Sequence, residues 1–303
     1  MATQEWNWYV EYTSPHHGYM YAVRRHIYSG ETPYQRVDLI DTFIFGRCLI
    51  LDGRIQSAAV DEHIYHEALI HPALVLHRNP KRALVMGGGE GAVLRELCRH
   101  PGLEQVVMVD IDREVVELCR KHLPGWHGNC FDDPRVEVLH MDARRYLEDT
   151  KHRYDLIYSD LTEPEEEGPS RLLFTRQFFE LVKNRLAPGG ILTVQAGCFS
   201  IDLLEAHASI RKTLQQCFAS VFSYHTYIPS FNANWGFLLA SEHLDPLGVS
   251  AAEIDRRLDN LISPLKFYDG ETHHGMFRVP KDIRSALAQD GKVIDDDEPL
   301  SLY

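Results

Sequence analysis

The feature that most constrains the fold is a glycine cluster, Gly87-Gly88-Gly89-Glu90-Gly91, set between an apolar run at 82–86 and an amphipathic stretch at 92–100. Glycines let a chain leave a strand, turn sharply and start a helix while presenting bare backbone to a ligand. In the stretch that follows, Val93, Leu94, Leu97 and Cys98 share one helical face. A second strand-like run, 105–109, ends on Asp110, and a carboxylate there can accept from both hydroxyls of a ribose. Strand, loop, helix, strand and acid in this order predict the ligand crevice of a doubly wound α/β sheet.

Strand-like runs recur at 135–139, 154–159, 191–195 and 235–240, with helical stretches between most of them; Val115, Val116, Cys119 and Leu123 mark one such helix. This alternation implies mostly parallel strands with helices on both faces. Earlier in the chain the rhythm differs. Residues 20–28, 34–43 and 47–57 are β-branched and aromatic, with turn signals at Ser29-Gly30, Phe45-Gly46 and Asp52-Gly53. The expected organisation is a small antiparallel β module over 1–60 and a Rossmann-like catalytic domain over 61–303.

A net charge of −13 offers no Lys/Arg stripe for a phosphate backbone, so no nucleic-acid partner is expected. The same charge would concentrate a polycation. No apolar run approaches the roughly 18 residues that span a membrane. The first residues lack a signal peptide's basic start and apolar core, which gives the expectation of a cytoplasmic protein. Six cysteines without a C-x-x-C pair and 17 histidines without ligand spacing point to free thiols and no metal. Glu165-Glu166-Glu167 is the one charge run.

The glycine loop departs from the G-x-G-x-x-G spacing of pyrophosphate sites and carries Glu90, which would repel a pyrophosphate. An adenosyl ligand without phosphates fits better. A further acid follows the third strand in His140-Met141-Asp142-Ala143. Asp142 can accept from an adenine amino group, with the Ala143 amide beside it, or simply cap the helix that starts there. Glu90 also separates two donors. Ordinary S-adenosylmethionine brings a carboxylate that Glu90 disfavours, whereas the decarboxylated form offers only a propylammonium tail.

The fourth strand ends in Asp160-Leu161-Thr162-Glu163-Pro164, and a polar loop leads to Arg171-Leu172-Leu173-Phe174-Thr175. Here the chain resembles the polyamine aminopropyltransferases, the spermidine and spermine synthases, whose fourth strand ends in Asp-x-x-Asp-Pro. The similarity covers about residues 19 to 285. It includes Gly53-Arg54-Ile55-Gln56, Tyr65-His66-Glu67, Pro188-Gly189-Gly190, Ile228-Pro229-Ser230-Phe231, Lys266-Phe267-Tyr268 and Phe277-Arg278-Val279-Pro280. Gln195-Ala196-Gly197 and Pro229-Ser230-Phe231 with Trp235-Gly236 are most similar to the branch holding thermospermine synthases and bacterial agmatine or triamine aminopropyltransferases.

That resemblance implies a class I methyltransferase-type sheet and a set of roles. Glu90 would hold the donor's amine, Asp110 its ribose, and Asp142 with Ala143 its adenine. Gly87, Gly89 and His66 would complete the donor site, with Gln35 and Gln56 closing over it from the β module. Asp160 would be the base, helped by Tyr65. Glu163, Tyr65, His225 and Trp235 would take the acceptor: spermidine, agmatine or putrescine. Decarboxylated S-adenosylmethionine would be a co-substrate, leaving as methylthioadenosine, with no tightly bound cofactor or metal. Relatives assemble as dimers or tetramers through the N-terminal module. Asp110 stands where Glu is usual, Ala143 where Gly is usual, and Glu163 replaces the second Asp, reaching one methylene further. The competing expectation is a small-molecule methyltransferase using ordinary S-adenosylmethionine, since the same sheet hosts many chemistries.

Overall fold

The computed structural model describes residues 7–14, 16–164 and 168–300; Glu165-Glu166-Glu167 lies outside them. The chain begins with β1 (Asn7–Ser14), β2 (His17–Glu31), β3 (Arg36–Thr42), β4 (Gly46–Leu51) and β5 (Arg54–Ala58), paired antiparallel in sequence order. Asp52 and Gly53 turn β4 into β5 with φ of 47° and 85°, as their sequence predicts. Ser29-Gly30 does not turn: both residues pair within β2, opposite Asp38 and Val37. The reversal falls instead at residues 32–35, where Thr32 Oγ1 accepts from the Gln35 amide at 3.1 Å. β1 was not anticipated, because its apolar set Trp8, Val10 and Tyr12 points outward and stays exposed.

A 7-stranded sheet follows, interleaved with helices α1 (Glu62–Leu76), α2 (Ala92–Cys98), α3 (Arg113–His122), α4 (Pro124–His127), α5 (Ala143–Asp149), α6 (Arg176–Arg185) and α7 (Glu205–Cys217). Its strands are β6 (Arg82–Gly87), β7 (Gln105–Asp110), β8 (Val136–His140), β9 (Tyr154–Asp160), β10 (Leu186–Cys198), β11 (Ser220–Ile228) and β12 (Ala233–Ser241). They lie in the order β11-β12-β10-β9-β6-β7-β8. The strands from β8 to β10 are parallel, and β12 is antiparallel to both neighbours. All six strand-like runs form strands. β11 has no clear sequence signature because it is an edge strand in which only Tyr224 and Ile228 are buried. Three short helices, α8 (Ala251–Leu258), α9 (Gly270–Met276) and α10 (Lys281–Gln289), follow the sheet.

Strand alternation builds two cores. Val85, Met108, Leu156 and Tyr158 pack with Leu69 and Leu94 of α1 and α2. Leu84, Val107 and Ile157 pack on the opposite face with Leu147, Phe178 and Leu214 of α5, α6 and α7. A third cluster joins the antiparallel sheet to the second unit: Val37, Leu39 and Leu49 meet Ala92, Val115 and Leu123. This contact brings the first sheet against the starts of α2 and α3, beside the glycine loop. Among the described residues no helix is long and apolar enough to cross a membrane.

Candidate active site

The C-terminal ends of the parallel strands and the inner edge of the first sheet enclose a cavity of about 1060 Å³. Gly87, Gly88 and Gly91 adopt φ of 80°, 75° and 78°, a region that side-chained residues rarely enter. Space demands glycine as well. A Cβ on Gly87 would sit 2.2 Å from the Asp160 carbonyl oxygen, and one on Gly89 would sit 2.8 Å from Asp110 Oδ2. The loop is thereby pressed against both acids, and the Gly88 amide donates to the Asp160 carbonyl at 3.2 Å.

On the donor side, Asp110 Oδ1 accepts from the Asp112 amide at 2.8 Å. Loss of hydration pushes the Asp110 carboxyl up to about 6; the Asp112 and Asp160 charges add to this, and the Asp112 and Gly89 amides oppose it. Asp142 does cap α5, accepting from the Arg145 amide at 2.8 Å, and with Ala143 it also lines the cavity. Gln35 and Gln56 reach the wall from the first sheet. Gln35 Nε2 donates to Asp112 Oδ2 at 2.9 Å, beside Thr32 on the same oxygen.

Two expected site residues stand elsewhere. His66 does not line the cavity. It is buried behind Glu90, with Nε2 2.9 Å from Glu90 Oε1. Burial opposes its charge, but Glu62 and Glu90 outweigh that and raise the imidazole to about 10. His225 is also off the wall, stacked on Phe199 with ring centroids 4.8 Å apart. Burial holds it below the usual histidine range. Tyr227, two residues along β11 and on the same face, lines the cavity instead.

Asp160 closes β9 at the cavity's centre. Its Oδ1 accepts from the Tyr65 hydroxyl at 2.6 Å. Burial drives the carboxyl up to about 6; the His66 charge opposes, the Glu90 charge adds and the Tyr65 bond opposes. Tyr65 is held far above its usual range, by burial first and then by Asp160, so it stays a donor. Trp235 lines the cavity with Nε1 donating to Gln195 Oε1 at 3.2 Å, and Gln195 in turn donates to the Leu161 carbonyl at 2.5 Å. Glu163 also faces the cavity, but its Oε2 carries Arg54 Nη1 at 3.1 Å.

Glu11, Asp202 and Glu205, which no sequence motif marks, line the same wall. Glu11 is buried, accepting from the Tyr21 hydroxyl at 3.0 Å and the Ile55 amide at 2.8 Å. Its signal was an acid at an inward position of an alternating segment. In all, nine carboxylates (Glu11, Asp52, Glu90, Asp110, Asp142, Asp160, Glu163, Asp202 and Glu205) and one guanidinium, Arg54, line the cavity among the described residues. Such a wall selects for cations. Among those residues no group of three or more potential ligands is placed to hold a metal.

Family models match at both levels: the spermine/spermidine synthase domain over residues 62–247 and the spermidine synthase tetramerisation domain over 7–59. The chain belongs to the spermine/spermidine synthase family. It is 44% identical over 293 residues to polyamine aminopropyltransferase 2 of Pseudomonas aeruginosa, covering 96% of this chain and 84% of that one. It is 41% identical to polyamine aminopropyltransferase of Sulfurisphaera tokodaii, covering 98% and 99%. Among solved structures, a spermidine synthase in complex with the transition-state analogue AdoDATO superposes with a TM-score of 0.86 at 28% identity, over 93% of this chain and 95% of that one. Spermidine synthase from Thermotoga maritima gives 0.84 at 28%, over 93% and 94%. This family member is therefore an aminopropyltransferase, and the expectation of a methyltransferase falls away.

Proposed function

We propose that the chain moves the aminopropyl group of decarboxylated S-adenosylmethionine to a polyamine by in-line displacement, with Asp160 as base and methylthioadenosine as product. The observation that carries this reading is the Asp160 carboxylate, bonded to Tyr65 and weakened in acidity to about 6 at the centre of an acid-lined cavity. An alkylamine is protonated at neutral pH, with a pKa of about 10.4, and has no lone pair to attack with. A carboxylate at the reacting nitrogen accepts its proton as the new C–N bond forms while the C–S bond breaks. The sulfonium carbon is already electrophilic, so holding nitrogen, carbon and sulfur in line supplies much of the remaining acceleration.

In this reading Glu90 takes the donor's ammonium, Asp110 its ribose, and Asp142 with Ala143 its adenine, beneath Gln35 and Gln56. The acceptor lies along Tyr65, Trp235 and the acids beyond Asp160, with spermidine, agmatine or putrescine as the amines to compare. The first sheet forms the cover and the assembly surface. The tetramerisation-domain match and the outward apolar set Trp8, Val10 and Tyr12 support a homodimer or homotetramer. A cytoplasmic setting suits these substrates.

Incubation with decarboxylated donor and a panel of amines, followed by mass identification of products, tests the proposal. Aminopropylated amine and methylthioadenosine are expected. A methylated product from ordinary S-adenosylmethionine would overturn it.

A further inference from the structure

Behind the glycine loop, a line of buried charges runs away from the cavity. His66 Nε2 lies 2.9 Å from Glu90 Oε1, while its Nδ1 lies 2.6 Å from the Glu62 carbonyl oxygen and 3.1 Å from Glu62 Oε2. Nδ1 is hydrogen-bonded to Glu62 while Nε2 stands at ion-pair distance from Glu90, so the ring lies between two carboxylates that favour its imidazolium form. Glu62 is gripped in turn by Arg95, Nη1 to Oε1 at 3.0 Å and Nη2 to Oε2 at 2.8 Å. Arg95 Nε continues to Glu96 Oε1 at 2.8 Å. Glu62 and His66 are 8% and 1% exposed, so each charge depends on its neighbour of opposite sign. The alternating signs tie α1 and α2 into one ladder whose last rung is the acid on the glycine loop.

We propose that Glu62 is a positioning residue for aminopropyl transfer: acting through His66, it fixes the Glu90 carboxylate toward the donor and keeps a cation beside Asp160. The inference rests on Asp160 as base and Glu90 as the donor's partner. Facing Asp160 are Tyr65 and His66 from α1, Glu90 from the loop and Asp110 from the end of β7. Facing His66 are Glu62 and Tyr65 from its own helix and Glu90 from the loop, with Arg95 of α2 behind Glu62. Among these, His66 is the cation that restrains Asp160 against burial and the Glu90 charge. Without the Glu62 carboxylate, one of the two charges that hold the ring protonated against burial is lost, and the imidazolium weakens.

The test is steady-state kinetics from about pH 5 to about pH 9 on Glu62→Gln, His66→Gln and the double variant. It is paired with methylthioadenosine binding and with NMR titration of His66 in the unaltered enzyme. Both single variants are expected to raise the donor KM and to move the acid limb of kcat/KM upward by about one pH unit. Methylthioadenosine, which lacks the amine, should keep its Kd within about twofold. If Glu62 acts through His66, the double variant is no worse than His66→Gln alone. The wild-type ring should remain an imidazolium at about pH 8, well below its titration near 10.

A wild-type acid limb and donor KM in Glu62→Gln, or additive effects in the double variant, would overturn the proposal. So would a neutral His66 ring at about pH 8; that measurement decides alone if a variant does not fold. Loss of the base reading has a different signature. Near-normal turnover in Asp160→Asn would remove Asp160 as base and this proposal with it, whereas an acid limb that Glu62→Gln leaves in place removes only the role of Glu62.

Discussion

The Tyr65 hydroxyl donates to Asp160 Oδ1 at 2.6 Å, tying a helix residue to the carboxylate that ends β9. The bond spends one oxygen of Asp160 on orientation and leaves the other for a substrate proton. It also stabilises the ionised form, working against the burial that lifts Asp160 to about 6. Asp160→Asn should lower turnover by about 10²–10⁴-fold, the range for loss of a general base, while methylthioadenosine still binds. Tyr65→Phe should retain activity but raise the Asp160 pKa. Because kcat/KM needs the ionised carboxylate, it rises with pH through about 6 in the wild type, and the variant's acid limb should sit higher. An unmoved limb in Tyr65→Phe would show that the bond does not govern the base.

Glu90 projects from a loop that only glycines can build, with His66 behind it at 2.9 Å. A carboxylate so held contributes to a donor only where that donor has a cation to place against it. Glu90→Gln should therefore weaken decarboxylated S-adenosylmethionine by at least about tenfold, as expected for a charge-assisted bond. Methylthioadenosine should be affected far less. Calorimetric titration of both ligands checks the difference, and equal weakening would count against the contact.

Gly87 serves space as much as conformation. With φ at 80° and a Cβ destined to lie 2.2 Å from the Asp160 carbonyl oxygen, alanine there must displace backbone that no rotamer can relieve. Gly87→Ala should cost about 1–2 kcal/mol from the left-handed conformation alone. It should also move the end of β9, so activity is expected to fall more steeply than the unfolding midpoint. Parallel assays of kcat and thermal unfolding separate the two effects.

The catalytic sheet was legible because each parallel strand is a short apolar run with helical periodicity after it, and the glycine loop marked the crevice. The site acids were legible for the same reason, since Asp110 and Asp160 each end a strand of one sheet and Asp142 follows a third. Tertiary placement was harder to read. His66 and Tyr65 are adjacent on α1, yet one faces Asp160 across the cavity wall and the other is buried behind Glu90. His225 has the right face of β11 but lies against Phe199. Glu11 and Arg54 come from the first sheet, whose docking over the crevice depends on contacts between segments distant in sequence, as in the cluster that holds both Leu39 and Val115. The partner of Glu163 could not be foreseen from a motif that lies 109 residues from Arg54.

Glu96 is fully buried between three cationic or ring partners: Arg95 at 2.8 Å, Arg99 at 3.2 Å and His71 at 3.0 Å. Burial would raise its carboxyl, but hydrogen bonding to His71 and the surrounding charges win and bring it to about 2. A folded value below the usual 4.5 means that this group stabilises the native state above about 4.5 and loses its contribution as pH falls through about 2. Glu62, also brought to about 2 by His66 and Arg95 against burial, follows the same sign. Glu96→Gln leaves Arg95 and Arg99 underpaired in the interior, so at pH 7 it should destabilise the protein by about 3–5 kcal/mol. The gap from wild type should narrow steadily below about pH 4.5 and nearly close by about pH 2. Urea unfolding at a series of pH values measures that gap directly. A gap that stays constant down to the acid end would show that Glu96 contributes packing rather than charge.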